Sequence, residues 1–211
     1  MKAKQIEPDR RPARERLLAA ADELFYEGGT HAVGIDRVIE RAGVAKASLY
    51  DNFGSKEELI RAYLEARHEA RKARLTARLA RYATPRERLL GVFDALADVM
   101  AQPTFRGCAF QRAGAESGPG GRVKEVVDGA RGWTRELFTS LAREAGARHP
   151  EELAQQFMLL YDGALVSAHL EGGTHPALAA RAAAALMLDA DTGEAPSRTV
   201  ARKPASSRKR A

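Results

Sequence analysis

The stretch from Gly34 to Phe53, GIDRVIERAGVAKASLYDNF, constrains the fold of this chain more than any other. Ile35, Val38, Ile39 and Ala42 recur at intervals of three and four, which puts them on one face of a short helix. Gly43 can take the left-handed conformation that ends such a helix, and Val44 plugs the turn. Leu49 and Phe53, four apart, then face inward from a second short helix. Lys46, Ala47, Ser48, Tyr50, Asp51 and Asn52 are left on its outer side. The pattern predicts a helix-turn-helix over residues 34–53, with a plain helical hairpin inside a core as the alternative. The outer residue types suit DNA: a lysine for phosphate, Ser and Asn for hydrogen bonds, Ala for a thymine methyl, and Tyr as a flat apolar body with a hydroxyl.

Ala42 to Leu59, AGVAKASLYDNFGSKEEL, closely resembles the DNA-binding signature of the tetracycline-repressor (TetR/AcrR) family of bacterial transcription regulators. Two helices flanking a glycine are common, but Leu-Tyr-x-x-Phe followed by Ser-Lys-Glu-Glu-Leu is hard to obtain by chance. The resemblance implies an N-terminal three-helix DNA-binding domain and a C-terminal helical domain that holds a ligand and pairs two subunits. By the same resemblance Lys56, at a helix N-terminus, is a phosphate ligand. The chain departs from the pattern at Gly34, where relatives often carry a capping Ser or Thr. A phosphate contact through that hydroxyl is therefore missing, while the backbone amides stay available.

At 211 residues the chain is long enough for two small helical domains. No run alternates apolar and polar residues with β-branched types, so the fold is expected to be all-α, with about nine helices. Cys108 is the only cysteine, which rules out an intrachain disulfide and fits a reducing cytoplasm. The first ten residues lack the apolar core of a signal peptide, and the longest apolar run, Ala182 to Leu188, is too short to span a bilayer. The expected location is cytoplasmic, with no membrane partner.

The net charge of +6 is unevenly placed. Residues 54–82 hold eight Lys and Arg against four Asp and Glu, and residues 190–211 hold six against two, whereas residues 83–189 are slightly acidic. The basic surplus supports DNA binding only together with the motif, because exposed basic residues are common on any surface.

Five parts follow in chain order. Residues 1–12, charged and flanked by Pro8 and Pro12, are expected to be a flexible arm. Residues 13–60 form the DNA-binding domain, whose first helix spans about Ala13 to Glu27. Ser55 with Glu58 is a capping box that opens a long fourth helix to about Tyr82, and its part over residues 61–83, polar nearly all round its middle, is a link between domains. Residues 84–189 are the effector and dimerisation domain. There a second capping box, Thr84 with Glu87, opens a fifth helix; a sixth covers about Phe105 to Glu116, and a seventh about Arg122 to Ala145. Pro150 and Pro176 are read as first residues of the eighth and ninth helices, and Ser117 to Gly121 as a loop with a plausible hinge. Residues 190–211, rich in Pro, Ser, Lys and Arg, are expected to be a disordered basic tail.

One recognition helix reads only a few base pairs, so the leading function is a homodimeric repressor on a palindromic operator of double-stranded DNA, released by a small apolar or aromatic effector. Phe93, Cys108, Phe110, Trp133, Phe157 and Tyr161 are the candidate lining of the effector cavity. Ala164, Leu165, Ala168, Leu178, Ala182, Ala185 and Leu186 are the candidate dimer surface, with small residues that let helices approach closely. Two other readings stand beside this one, a redox-responsive regulator acting through Cys108 and a sequence-independent DNA binder built on the basic ends. The five histidines are scattered, and no carboxylate pair, phosphate loop or metal-ligand spacing stands out, so neither enzyme, metal site nor cofactor is expected.

Overall fold

Two separate hydrophobic cores, threaded by two long helices, organise the chain. The computed structural model describes residues 11–118 and 120–193, and these form an all-helical fold of nine helices with no strand among them. In order they are α1 (Ala13–Gly28), α2 (Ile35–Ala42), α3 (Lys46–Phe53), α4 (Lys56–Leu79), α5 (Pro85–Met100), α6 (Ala109–Glu116), α7 (Arg122–Glu144), α8 (Pro150–Glu171) and α9 (His175–Thr192). Among the described residues no helix is long and apolar enough to cross a membrane.

The head core takes Leu17, Ala21, Leu24 and Phe25 from α1, Val38 from α2, Leu49 and Phe53 from α3, and Leu59, Tyr63 and Leu64 from the first half of α4. Burying so many large apolar side chains is what holds three short helices that would not persist alone. The body core takes Leu75 and Leu79 from the far end of α4, with α5, the second half of α7, α8 and α9 around Phe93, Phe138 and Phe157. Those three rings pack tilted and edge-on, with centroids 5.6–6.3 Å apart.

The boundary at residue 60 is less sharp than the sequence implies. Ala109, Phe110 and Ala113 of α6 and Val123 and Ala130 of α7 are buried in the head core, so α4 and α7 each run through both cores. Both capping boxes form as expected at their first links: Ser55 accepts from the Glu58 amide at 3.1 Å and Thr84 from the Glu87 amide at 3.2 Å. At Thr84 the reciprocal bond to the Glu87 carboxylate is also made.

Several boundaries differ. The sixth helix begins at Ala109 and not near Phe105, because Gly107 turns at φ +86° and Cys108 is extended as the cap residue. Helix α4 stops at Leu79, and α9 begins one residue before Pro176. Helix α9 also runs through Thr192, so the first residues of the expected basic tail are helical, while residues 194–211 lie outside the described residues. So do residues 1–10 of the expected arm and Pro119 in the loop after α6.

Candidate nucleic-acid interface

Helix α2 ends in a left-handed Gly43 (φ 63°, ψ 42°), whose amide and that of Val44 bond back to Glu40 and Ile39. The last carbonyls of α2 would otherwise lack donors. Arg16, reaching across from α1, donates to the Ala42 carbonyl at 3.3 Å and the Gly43 carbonyl at 3.1 Å. Its positive charge also suits the negative end of the helix dipole. Arg16 therefore sets the angle at which the chain enters α3, a role with no signal in the sequence beyond a basic residue on the first helix.

On α3, Leu49 and Phe53 are buried and Arg14 lies over the Phe53 ring at 5.3 Å, which fixes the roll of the helix about its own axis. That roll leaves Lys46, Ala47, Tyr50, Asp51 and Asn52 exposed and Ser48 half-buried. Tyr50 is 45% exposed, a large apolar ring that no packing within the chain requires at the surface. Asn52 donates to the Ser48 carbonyl at 2.7 Å, one turn back, and its amide oxygen points away from that bond. Lys46 pairs with Asp36 at 3.1 Å across the turn, and the hydrogen bond and charge of that carboxylate raise its pKa.

Gly34 caps α2 with extended backbone (φ −76°, ψ 154°) and no side-chain bond, so the amides of the first turn of α2 stay open. Lys56 is half-buried at the start of α4 and donates to the His31 carbonyl at 3.2 Å, bracing the loop between α1 and α2. Arg37, which the sequence reading passed over, is exposed on α2 and forms no ion pair among the described residues. In a helix-turn-helix this helix crosses the DNA backbone, the side on which an exposed basic residue suits phosphate.

The head is joined to the body by polar bonds as well as by the shared core. Thr30 and the His31 amide bond to Glu116 at the end of α6, at 2.5 and 2.7 Å. Arg112 donates to the Tyr26 carbonyl at 2.7 Å, and the Tyr26 hydroxyl donates to the Gly107 carbonyl at 3.1 Å. Arg122 pairs with Glu58. Partial burial pushes the Glu116 pKa up, but the bonds from Thr30 and His31 outweigh it and hold the carboxyl below its usual range.

Between α1, the middle of α4, α5, α6 and α8 lies a cavity of about 650 Å³. A smaller one of about 240 Å³ adjoins it toward α7. Cys108, Phe110 and Tyr161, three of the six residues expected at an effector site, line both. Phe93 and Phe157 do not; they are fully buried in the body core, packed against Phe138. Trp133 instead packs edge-on against His68 at 5.6 Å. Burial pushes both the Cys108 thiol and the Tyr161 phenol up from their ordinary values, so both are protonated at neutral pH. The middle of α4, expected as a polar bridge, supplies the wall of the larger cavity through Arg67, Ala70 and Arg71.

The expected pairing surface divides in two. Ala164, Leu165 and Ala168 are buried in the chain's own core. Leu178, Ala182 and Leu186 are exposed and Ala185 is half-buried. Leu159, Val166 and Leu170 on α8, which the sequence reading did not single out, are exposed with them, Leu170 at 76%. Their spacing of seven and four keeps them on one stripe of α8.

Residues 17–63 match the model of the family described as bacterial regulatory proteins, tetR family. The transcriptional regulator AcuR of Cereibacter sphaeroides is 32% identical over 177 residues, which are 78% of this chain and 80% of AcuR. The transcriptional activator FasR of Mycolicibacterium smegmatis is 38% identical over 85 residues, spanning 40% of this chain and only 39% of FasR. Among solved structures, the TetR-family transcriptional regulator SCO4454 of Streptomyces coelicolor superposes with a TM-score of 0.81 at 31% identity, covering 85% of this chain and 96% of that one.

Proposed function

Because this chain belongs to the TetR family of DNA-binding transcriptional regulators and is not an enzyme, we propose that it acts in the cytoplasm as a homodimeric repressor of a palindromic operator, released by a small effector. Helix α3 enters the major groove with Lys46, Ala47, Ser48, Tyr50, Asp51 and Asn52 against the bases and backbone. Gly34, Arg37 and Lys56 hold phosphates beside it.

The observation that carries the dimer is the open apolar face of α8 and α9, where Leu159, Val166, Leu170, Leu178 and Leu186 all stand in water. A contiguous face of this kind is unfavourable on a monomer and is covered when a second copy brings the same face to it. Two helices from each chain then make a four-helix bundle, which sets the distance between the two heads at about 34 Å or a multiple of it.

The cavity between head and body supports the effector reading. A ligand there touches α1 and α4 of the head together with α5, α6 and α8 of the body, so its occupancy bears on their relative position. Binding best when the heads are wrongly spaced, it shifts the population away from DNA. The name of FasR as an activator favours a second reading, in which the same movement improves DNA binding. A redox role for Cys108 is disfavoured by the protonated, half-buried thiol.

Selection of bound sequences from a random DNA pool at fixed salt tests the proposal. A palindromic consensus bound by two chains is expected. Binding that ignores sequence and vanishes with salt would replace it with the non-specific reading.

A further inference from the structure

Arg71 stands on α4 between the two cavities and lines both. Its guanidinium lies over the Phe110 ring at 4.7 Å and 5.9 Å from the Trp133 ring. One nitrogen, Nη2, makes both of its hydrogen bonds, to the Ala130 carbonyl at 2.9 Å and to His68 Nδ1 at 3.1 Å. Nε is buried and has no partner. No carboxylate among the described residues pairs with this charge. Asp22 in the larger cavity is held by Arg67 at 2.5 Å, and Asp162 in the smaller is held by Arg131 at 2.5 Å and by Gln111 at 3.1 Å.

A guanidinium cannot escape burial by losing its proton, so a half-buried arginine without a counter-charge is an unfinished ion pair. The groups beside it add no negative charge. His68 is kept neutral, burial and then the Arg71 charge lowering its pKa, and accepts at Nδ1. Tyr161 stays protonated and can donate. Leu75, Leu96, Val99 and Leu165 give the wall an apolar part, and Glu15, Asp22, Arg67 and Arg74 give it a charged one.

We propose that Arg71 is the anion anchor of the effector site, and that the effector is an organic monocarboxylate with an apolar body. The Arg71 charge, half-buried and without a carboxylate of its own, matches a carboxylate presented in the cavity that Tyr161 also lines. The aliphatic and aromatic lining takes the body of the acid, and the cavity volume lies within the range of about 300–1,000 Å³ typical of small-molecule sites. The inference rests on the effector-released reading above and supplies its ligand class.

The test uses the full chain without DNA. Hexanoate, octanoate, benzoate and phenylacetate are each titrated beside the primary amide of the same acid, with inorganic phosphate as a further probe. Heat and the fluorescence of Trp133, the only tryptophan, are the two readouts. At least one acid is expected to bind saturably and about 10- to 100-fold more tightly than its amide, the range of a charge-assisted hydrogen bond in a half-buried site. Arg71→Gln should abolish the difference between acid and amide, and Arg71→Lys should restore part of it. Equal binding of acids and amides, no saturable binding of any acid, or phosphate binding as tightly as the best acid overturns the proposal, and these comparisons on the parent chain do not depend on a variant folding. Adding the selected operator separates the two readings. An acid that binds through Arg71 and leaves DNA affinity unchanged keeps the anchor and defeats effector release. Release by an uncharged compound, with no acid bound, does the reverse.

Discussion

The Thr30 hydroxyl donates to the Glu116 carboxylate across 2.5 Å, joining the loop that precedes the DNA-facing helices to the end of a body helix. The His31 amide donates to the same oxygen, and Lys56 braces the same loop from its other side. Helix α6 is thus attached at its end to the head and, through Cys108, Ala109 and Phe110 at its start, to the cavity wall. Under the effector reading proposed above, a displacement of α6 would reach the loop over about two turns of helix. This connection stands beside α4, which the sequence alone marks as the link.

Replacing Glu116 by Gln should weaken this clamp. The site is exposed, so the loss of stability at neutral pH is at most about 1 kcal/mol, a fall of about 2–4 °C in melting temperature. The sign with pH follows from the lowered pKa of Glu116. Its contribution is present above the unfolded carboxyl value of about 4.3 and is lost as pH falls through the lower folded value. Thermal melts of parent and variant should therefore differ at pH 7 and converge in acid. Curves separated by the same interval at every pH would show that the carboxylate is not the source.

Gly34→Ser should be tolerated, because a Cβ at this position meets no atom within 4 Å and the backbone is already extended. The hydroxyl can accept from the open amides of α2, raising stability by a few tenths of a kcal/mol, about the difference between Gly and Ser as caps. Operator affinity should rise, as the hydroxyl also reaches the phosphate. Binding isotherms on one operator at one salt concentration decide this, and a weaker variant would place Gly34 away from the backbone.

Arg86 binds the buried Asp189 with both Nε and Nη2, at 2.9 and 2.8 Å, and so ties α5 to α9. Arg86→Ala strands that carboxylate and should lower stability by about 3 kcal/mol in urea unfolding, since an unpaired buried charge is far more costly than an absent pair. The double change Arg86→Ala with Asp189→Ala should recover part of the loss. If the double variant is less stable than the single one, the pair is not what Asp189 contributes.

The DNA-facing half of this arrangement was legible in the sequence because every local cue there agrees. The stripe of Val38 and Ala42, the turn at Gly43 and the inward pair Leu49 and Phe53 all specify one geometry, and the structure has it. The body was less legible for a physical reason. Helix α8 is apolar on both sides, so periodicity cannot say which stripe is core and does not separate the buried Ala164, Leu165 and Ala168 from the exposed Leu159, Val166 and Leu170. An aromatic residue likewise carries no mark of whether it lines a cavity or fills a core, which is how Phe93 and Phe157 were misplaced. The unfinished ion pair of Arg71 depends on where Asp22 and Asp162 find their partners, and only the folded chain decides that.

The exposed stripe gives a prediction for assembly. Leu170→Glu together with Leu186→Glu puts two charges on the face proposed to pair, at sites where the isolated chain loses little, because both side chains are already in water. The variant should sediment as a folded monomer and bind the operator far more weakly than the parent. A variant that remains dimeric would move the interface elsewhere.

The most direct test of the account is the affinity of the parent and of Tyr50→Ala for a selected palindrome and for a scrambled duplex, all at one salt concentration. The parent should prefer the palindrome by a factor of about 10³ or more. Tyr50→Ala should lose about tenfold or more on the palindrome, with its affinity for the scrambled duplex and its melting temperature unchanged. If the parent binds both duplexes alike, or the variant keeps the full preference, helix α3 does not read the sequence and the account is wrong at its centre.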